Sequence, residues 1–163
     1  MDRAKQTRSL ELRNAQRGDY EAICLLLSRA NLPTRDLSHD SFEHFLVCVN
    51  GEAVVGVVGL ESYGASALAR SLAVDVRHRS QGVAARLLRE VEGRALNLGV
   101  TRLFALTLTA QRYLEQKGFD EMDRACVPEE IRATAQFSQL CPESARCLVK
   151  SIHRHPIQQE GVA

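Results

Sequence analysis

One stretch of the chain carries most of the information about its architecture: Ser71-Leu-Ala-Val-Asp-Val-Arg-His-Arg-Ser-Gln-Gly-Val-Ala-Ala-Arg-Leu-Leu88. It begins as an apolar run typical of a strand, passes through an Arg79-x-x-Gly82-x-Ala84 turn and continues at once as a helix. The first N–H groups of a helix have no intrahelical acceptor, and the helix dipole favours negative charge there. Gly82 and the small Ala84 let a ligand approach the main chain. We therefore predict a site for a phosphorylated cofactor whose diphosphate binds at this turn.

The composition is that of one globular domain. Of the 163 residues, 45% are hydrophobic and 25% charged, as in soluble globular proteins and unlike disordered ones. The 21 Lys and Arg residues nearly balance the 20 Asp and Glu residues, and the formal net charge is +1. This balance argues against a nucleic-acid or membrane-surface binder, so any attraction for anions must be local.

The sequence contains no evident targeting segment and no evident metal motif. The basic residues near the N-terminus are not followed by an apolar segment, and no apolar run is long enough to span a bilayer. The five cysteines form no C-x-x-C pair, and His153 and His155 lack further ligands nearby. We therefore expect a cytoplasmic protein with reduced thiols and no metal site.

Before the diphosphate turn, the pattern predicts a helix and a set of antiparallel strands. Residues 9–13 form a weak edge strand, and a helix with its cap at Asp19 ends before Pro33. The polar segment 34–42 is expected to flank a substrate pocket. Around Asn50-Gly51, a strong hairpin signal, we predict strands at 45–49 and 53–60, with a third at 67–76.

After the turn, helices and strands alternate. The helix 82–98 ends at Gly99, and the remaining elements are predicted as a strand 102–108, a helix 110–117, a strand starting at Gly118-Phe119, a helix at Pro128 and a last strand 144–152. We expect a single domain over residues 1–152 and a polar tail over 153–163. A Rossmann site and a P-loop are excluded, because their glycine patterns are missing.

In this order of elements the chain resembles the GNAT family of N-acetyltransferases, whose Arg/Gln-x-x-Gly-x-Gly/Ala loop binds the diphosphate of acetyl-CoA. The resemblance covers about residues 10–152. It implies an α/β (α+β) fold with a mixed, mostly antiparallel central sheet flanked by helices, and acetyl-CoA as cosubstrate. The residues that the resemblance assigns to the cofactor are Leu72, Ala73 and Val74, through their main chain, and Arg79, Ser80, Gln81, Gly82, Val83, Ala84 and Ala85.

Six short motifs carry a closer likeness: Leu32-Pro-Thr-x-Asp-Leu37, Val57-Val-Gly-Leu-Glu-x-Tyr-Gly64, Arg70-Ser-Leu-Ala-Val74, Asp123-Arg-Ala125, Pro128-Glu-x-Ile-Arg-Ala-Thr134 and Leu140-Cys-Pro-x-Ser144. In these motifs the chain resembles the arsenic-resistance-associated branch of that family. Relatives in the broader group acetylate amino-acid-like compounds such as phosphinothricin and arsinothricin.

The implied reaction is attack of a primary amine on the acetyl thioester, and it needs a group that takes a proton from the ammonium. Glu61 is our first candidate base, acting directly or through water; the alternative is an exposed acid at a strand end. The family often protonates the thiolate with a tyrosine four residues before the Gly-Phe pair, where this chain has Leu114. Tyr113 is the catalytic candidate beside it, although neighbouring helix residues point about 100° apart. Otherwise it is a core aromatic.

For the acceptor, Arg70 is predicted to bind a carboxylate of an amino-acid-like substrate, with Ser71 beside it. The alternative for Arg70 is a surface salt bridge. Three functions remain open: an N-acetyltransferase acting on a small amine, an enzyme acetylating protein amines in an open groove, and a catalytically silent acyl-CoA sensor. A homodimer through the last strand is a further expectation.

Overall fold

The computed structural model describes residues 9–154, so most of the predicted polar tail, including His155, lies outside the described residues. Its strands in chain order are β1 (Leu10–Asn14), β2 (Phe45–Asn50), β3 (Ala53–Tyr63), β4 (Ser66–Val74), β5 (Arg102–Thr107), β6 (Asp120–Met122) and β7 (Arg146–Ser151). Its helices are α1 (Tyr20–Arg29), α2 (Val83–Asn97), α3 (Gln111–Gln116) and α4 (Glu129–Arg132), with a π-helical turn at Gln136–Leu140 and 3-10 turns at Arg17–Asp19, Ser41–His44, Val76–His78 and Arg124–Cys126. Within these residues, no helix combines the length and the apolar character that a bilayer crossing requires.

The seven strands form one mixed sheet in the order β1-β2-β3-β4-β5-β7-β6. Strands β1 to β4 form an antiparallel meander, and β7 pairs antiparallel with both β5 and β6. Only β4 and β5 run parallel, because helix α2 carries the chain from the end of one to the start of the other. The predicted mixed, mostly antiparallel α/β fold is confirmed.

The sheet is covered on both faces, and the alternation of side chains separates the two sides. On one face, α2 buries Val83, Leu87 and Val91 against Leu46 and Val58. The opposite face carries two apolar clusters: α1 packs over Val47 and Val57, whereas the α4 region packs over Leu68 and Phe104. The alternation along β3 and β4 places Glu61 and Arg70 on this same face, together with Val57 and Leu68.

Gly56 on β3 is required by the close approach of α2. A Cβ atom at this position would lie 2.8 Å from Val83 Cγ1 and 3.1 Å from Leu87 Cδ1. We expect Gly56→Ala to lower the free energy of unfolding by about 1–3 kcal/mol, because the core must be overpacked or α2 must shift. Urea denaturation measures the effect.

The matched control is Gly93→Ala, in α2, where nothing lies within 4 Å of the added Cβ. Alanine is the better helix former, so this variant should be more stable than the wild type by about 0.5–1 kcal/mol. Equal stability of Gly56→Ala and wild type would show that α2 tolerates displacement from the sheet.

Several local predictions need correction: β3 continues to Tyr63 rather than ending at residue 60, and β6 starts at Asp120 rather than at Gly118. Asp19 does not cap α1, because its carboxylate accepts hydrogen bonds from both Arg13 terminal nitrogens and from the Gln16 N–H (2.7 Å for the last). Strand β4 ends at Val74 rather than residue 76, since the Asp75 carboxylate accepts the Arg77 N–H and turns the chain. The last strand starts at Arg146, two residues later than predicted.

Candidate active site

The sheet opens between β4 and β5. The two strands pair only over Ser66, Ala67 and Leu68, opposite residues 102–104, while β5 continues its pairing with β7 to Thr107. Within the described part of the chain, the β5-facing edge of β4 therefore has no strand partner from residue 69 to residue 74. Its main-chain groups are free to bind a ligand that lies in an extended conformation, as a neighbouring strand would.

A bulge lies in β4 where this opening begins. Gly59 pairs with Arg70, but Val57 pairs with Ala73, so two residues of β4 lie opposite Val58. Ser71, one of the two, has φ of 57°, a region that residues other than glycine rarely occupy. Leu72, Ala73 and Val74, the predicted main-chain partners of the cofactor, follow directly along the unpaired edge. Their assignment stays a prediction that this geometry allows.

The predicted diphosphate turn starts helix α2. Gly82 is its N-cap residue with φ of 77°, and Ser80 has φ of 61°. The Arg86 N–H donates to the Gly82 carbonyl at 3.0 Å as the first hydrogen bond of the helix. In residues 9–154, the N–H groups of Val83, Ala84 and Ala85 have no acceptor. These three free donors lie at the positive end of the helix dipole, an environment that suits a diphosphate.

Arg79 lies across the end of β4. Its Nε donates to the Val74 carbonyl at 3.2 Å, and the side chain is exposed. Its two terminal nitrogens have no partner within the described residues, so they are available to a phosphate oxygen. Gln81 donates instead to the Arg77 carbonyl, at 3.4 Å, which closes the turn on itself.

On the α1 face of the sheet, Arg70 holds two carboxylates. Its guanidinium donates to both oxygens of Asp36, and its NH1 also donates to Glu61 Oε1 at 2.8 Å. Its Nε donates to Ser71 Oγ at 3.1 Å. The Arg70 side chain is 3% exposed, so this group is neither the surface salt bridge nor the open receptor that the sequence suggests. We call Asp36, Glu61, Arg70 and Ser71 the Arg70 cluster.

The electrostatics of the Arg70 cluster keep its ion pairs charged. Burial opposes ionisation of Arg70, but its hydrogen bonds to Asp36 and Glu61 outweigh burial and raise its pKa. Burial would likewise raise the pKa of Asp36, but the Arg70 hydrogen bonds prevail and lower it. One guanidinium faces two carboxylates, so the cluster carries a net negative charge, which suits a cationic amine.

Tyr63 completes the surroundings of Glu61. Its hydroxyl donates to Glu61 Oε2 at 2.7 Å, and burial together with this hydrogen bond raises the pKa of Tyr63 to about 12. The phenol therefore remains a neutral donor near pH 7. Each oxygen of Glu61 thus has one donor from the chain, which orients the carboxylate.

The structure brings Glu61, Arg70 and Ser71 together but places Tyr113 elsewhere. Tyr113 packs against the core on the α2 face of the sheet, its ring 5.4 Å from Lys117 Nζ, and burial raises its pKa. Leu114, at the position of the family's tyrosine, is 5% exposed and belongs to the same core. Its side chain has no proton to give.

Asp36 is the site residue that the sequence reasoning missed. It lies in the polar segment 34–42 that was expected to flank a pocket, and no spacing rule links it to Arg70, 34 residues later. The motif Leu32-Pro-Thr-x-Asp-Leu37 contained it, but a single carboxylate in a polar loop has no distinguishing pattern.

Comparisons with known proteins agree with this geometry. A family model described as the acetyltransferase (GNAT) family matches residues 9–119. Among solved structures, N-acetylglutamate synthase from Neisseria gonorrhoeae complexed with coenzyme A and L-arginine has a TM-score of 0.77, with 23% identity over 89% of this chain and 34% of that chain. Rv2747 from Mycobacterium tuberculosis, in complex with CoA, has a TM-score of 0.74, with 19% identity over 88% of this chain and 99% of that chain.

A third structure, an acetyltransferase of the GNAT family from Staphylococcus aureus Mu50, has a TM-score of 0.72 and 18% identity over 89% of this chain and 100% of that chain. Identities this low show a shared fold alone. The chain spans about a third of the length of the N-acetylglutamate synthase chain. A search of curated proteins gives no match.

Proposed function

The chain belongs to the GNAT acetyltransferase family, which uses acetyl-CoA as cosubstrate, and from this premise we propose that it acetylates the primary amine of a small, amino-acid-like molecule. One observation carries the proposal. The unpaired edge of β4, residues 69–74, is followed after the turn 75–82 by the free N–H groups of Val83, Ala84 and Ala85, a run of two main-chain segments open to a ligand within residues 9–154. Such a run suits a long ligand with an amide-containing arm and a diphosphate.

Within this proposal, main-chain groups of Leu72, Ala73 and Val74 hold the pantetheine arm, and residues 79–85 hold the diphosphate. The bulge at Ser71 supports a role for a strand N–H as the donor to the oxyanion, because an irregular strand frees main-chain donors from the ladder. In a ternary complex the acceptor ammonium first loses a proton, and the free amine attacks the thioester carbonyl directly. The new C–N bond gives a tetrahedral oxyanion, which collapses as the C–S bond breaks, the nitrogen loses its second proton and the thiolate of coenzyme A leaves.

Glu61 is the proposed base. An acceptor ammonium is attracted to the net negative Arg70 cluster, and Glu61 takes its proton directly or through a water molecule. The thiolate is a tolerable leaving group at neutral pH, so water can supply its proton. We retain Tyr113 as a proposed contact of the thioester. This role requires the acetyl group to reach the α2 face of the sheet, where the Tyr113 side chain packs.

We retain Arg70 and Ser71 as substrate-binding residues. Four of the five N–H groups of Arg70 are used within the chain, so a substrate carboxylate must displace Asp36 to form a bidentate pair. Asp36 lies in the loop between α1 and β2. The complexes of N-acetylglutamate synthase with L-arginine and with N-acetyl-glutamate support an amino-acid-like acceptor.

Glu61→Gln is expected to lower kcat with an accepted amine about 100-fold, because the amide cannot accept the proton. Its residual rate should rise with pH as the free amine fraction of the substrate increases. Thiol release from acetyl-CoA measures the rate, and calorimetry with coenzyme A should give unchanged affinity. Glu52→Gln, at an exposed acid in the β2–β3 turn, is the matched control. A Glu61→Gln rate within threefold of wild type would remove Glu61 as the base.

The function itself is tested with purified protein, acetyl-CoA and three groups of amines. Free amino acids and phosphinothricin represent small acceptors, including the proposed arsenic-resistance branch, and short peptides represent protein amines. Turnover with the first group supports the proposal, whereas turnover with peptides alone assigns a protein acetyltransferase. The absence of coenzyme A binding by calorimetry would end the acetyl-transfer account.

A silent acyl-CoA sensor remains the second candidate, and one observation favours it. Leu114 replaces the acid that the family often uses, and it is buried in the core. Thermal stabilisation by coenzyme A without thiol release from any amine would assign this function. A homodimer would need more than the middle of β7, because β5 and β6 occupy both of its edges.

A further inference from the structure

A polar contact next to the diphosphate loop, residues 79–85, is not used by the proposed site. Asn50, the last residue of β2, has its side-chain nitrogen 3.2 Å from His78 Nε2. His78 ends the 3-10 turn that directly precedes the loop. Its side chain is 18% exposed. As oriented here, the Asn50 amide donates to Nε2, which places the ring proton on Nδ1 beside Asp75.

Asn50 belongs to the sheet, whereas the other side-chain hydrogen bonds of residues 75–82 are made to residues nearby in the chain. Asn50 pairs with Leu10 on β1 and with Ala53 on β3, so its backbone is held inside the sheet. Asp75 binds Arg77, Arg79 binds the Val74 carbonyl and Gln81 binds the Arg77 carbonyl. Among residues 9–154, the bond from Asn50 to His78, 28 residues apart, is the only side-chain hydrogen bond that ties residues 76–82 to an element other than β4, which they follow in the chain.

The loop needs such an anchor because its backbone is unusual. Ser80 and Gly82 both have positive φ, of 61° and 77°. A serine in this region persists only where its surroundings hold it there. The Asp75 N–H donates to the Val55 carbonyl at 2.8 Å before the loop, and Val83, near the end of the loop, packs on Gly56. His78 lies between these two attachments.

The contact also leaves two buried polar atoms without partners in the described residues, Asn50 Oδ1 and His78 Nδ1. The latter lies 3.7 Å from Asp75 Oδ1, beyond hydrogen-bond distance. Unpaired buried polar atoms destabilise a fold, and two apolar side chains of similar size would join β2 to the turn without that penalty. A polar pair at this place is therefore better explained by directional placement of the loop than by packing.

We propose that Asn50 is a positioning residue for coenzyme A. Acting through His78, it holds residues 79–85 in the conformation that directs their N–H groups towards the diphosphate. The inference rests on the proposed cofactor role of that loop. Because the donors are already arranged before binding, less ordering is needed when the ligand binds, and affinity rises accordingly.

The test is a double-mutant cycle with Asn50→Leu, which keeps the volume and removes the hydrogen bond, and His78→Phe. Calorimetry with coenzyme A should show about a three- to tenfold loss of affinity for Asn50→Leu. The double variant should bind no more weakly than His78→Phe alone, since Asn50 acts through the imidazole. Asn97→Ala, at the exposed end of α2, is the matched control and should bind as the wild type does.

Amide hydrogen exchange separates positioning from general stability. In Asn50→Leu, coenzyme A should protect the amides of residues 80–85 less than in wild type, while exchange in β1 to β4 stays the same. Affinity of Asn50→Leu within twofold of wild type, losses that add in the double variant, or faster exchange throughout the sheet would each overturn the inference. Failure of the wild type to bind coenzyme A would instead remove the proposed function. Asn50→Ala serves as the second variant if Asn50→Leu does not fold.

Discussion

Replacement of Gly82 by Asp is expected to lower the affinity for coenzyme A by about 100- to 1,000-fold while the fold is kept. The new carboxylate would stand at the N-cap of α2, beside the N–H groups proposed for the diphosphate. At about 5 Å and an effective dielectric constant of about 20, one pair of like charges costs about 3 kcal/mol. Because the diphosphate carries more than one negative charge, we expect the affinity for coenzyme A to fall by at least about 100-fold.

Gly82→Asn is the control that isolates charge from shape. Nothing lies within 4 Å of a Cβ at residue 82, and Asn and Asp both tolerate positive φ and serve well as N-caps. We expect Gly82→Asn to bind coenzyme A within about tenfold of wild type. Calorimetry at two salt concentrations checks both variants. Equal affinities of the Asp and Asn variants would mean that the diphosphate binds elsewhere.

The second large effect is expected from Arg70→Met, which should lower the free energy of unfolding by about 3–5 kcal/mol at pH 7. Methionine roughly keeps the volume but leaves Asp36 and Glu61 without their shared cation. The side chains of Asp36 and Glu61 are only 21% and 28% exposed, so water solvates their charges incompletely. Urea denaturation of the variant measures the loss.

The free energy of unfolding that Arg70→Met loses relative to the wild type should become smaller as the pH falls. In the wild type the pKa of Asp36 is lowered on folding, so its contribution is fully present above its unfolded pKa of about 4 and is lost as pH falls through the folded value. Without Arg70 the carboxylates are penalised when charged. The difference between Arg70→Met and wild type should therefore narrow below about pH 5.

Asp36→Asn combined with Arg70→Met provides the control, because it removes one of the two unpaired charges. The double variant should recover part of the stability lost by Arg70→Met alone. If the double variant is no more stable than Arg70→Met alone, the loss of stability arises from packing rather than from charge. Once an acceptor is known, an unchanged KM in Arg70→Ala would remove the predicted substrate role of Arg70.

The turn before α2 and the helix itself were predictable because their signals are local. The strand, the Arg79-x-x-Gly82-x-Ala84 turn and the amphipathic helix adjoin in the chain, and each depends on backbone preferences over a few residues. The hairpin at Asn50-Gly51 belongs to the same category, since two turn residues set its geometry. The prediction that Asp19 caps α1 was wrong for an equally local reason, because its carboxylate binds Arg13 and the Gln16 N–H instead.

The environment of the candidate site was less accessible to sequence reasoning. Glu61, Arg70 and Ser71 were selected by their chemistry and by their positions on the strands next to the proposed acetyl and cofactor site, but their mutual contacts were not predicted. Arg70 was predicted to bind a substrate carboxylate, and in the structure its guanidinium already binds Asp36 and Glu61. The burial of Arg70 depends on where α1 and α4 pack, which no property of the strand itself determines.

The sequence by itself determined the order of elements, the helix start with its free N–H groups, and membership of a family that uses acetyl-CoA. Only the tertiary structure decided where β4 and β5 separate, that Asp36 neutralises Arg70, and that Asn50 reaches His78. The last two contacts join residues 34 and 28 positions apart. Side chains that meet across such distances leave no periodic pattern in the chain, because their proximity arises from the packing of whole strands and helices.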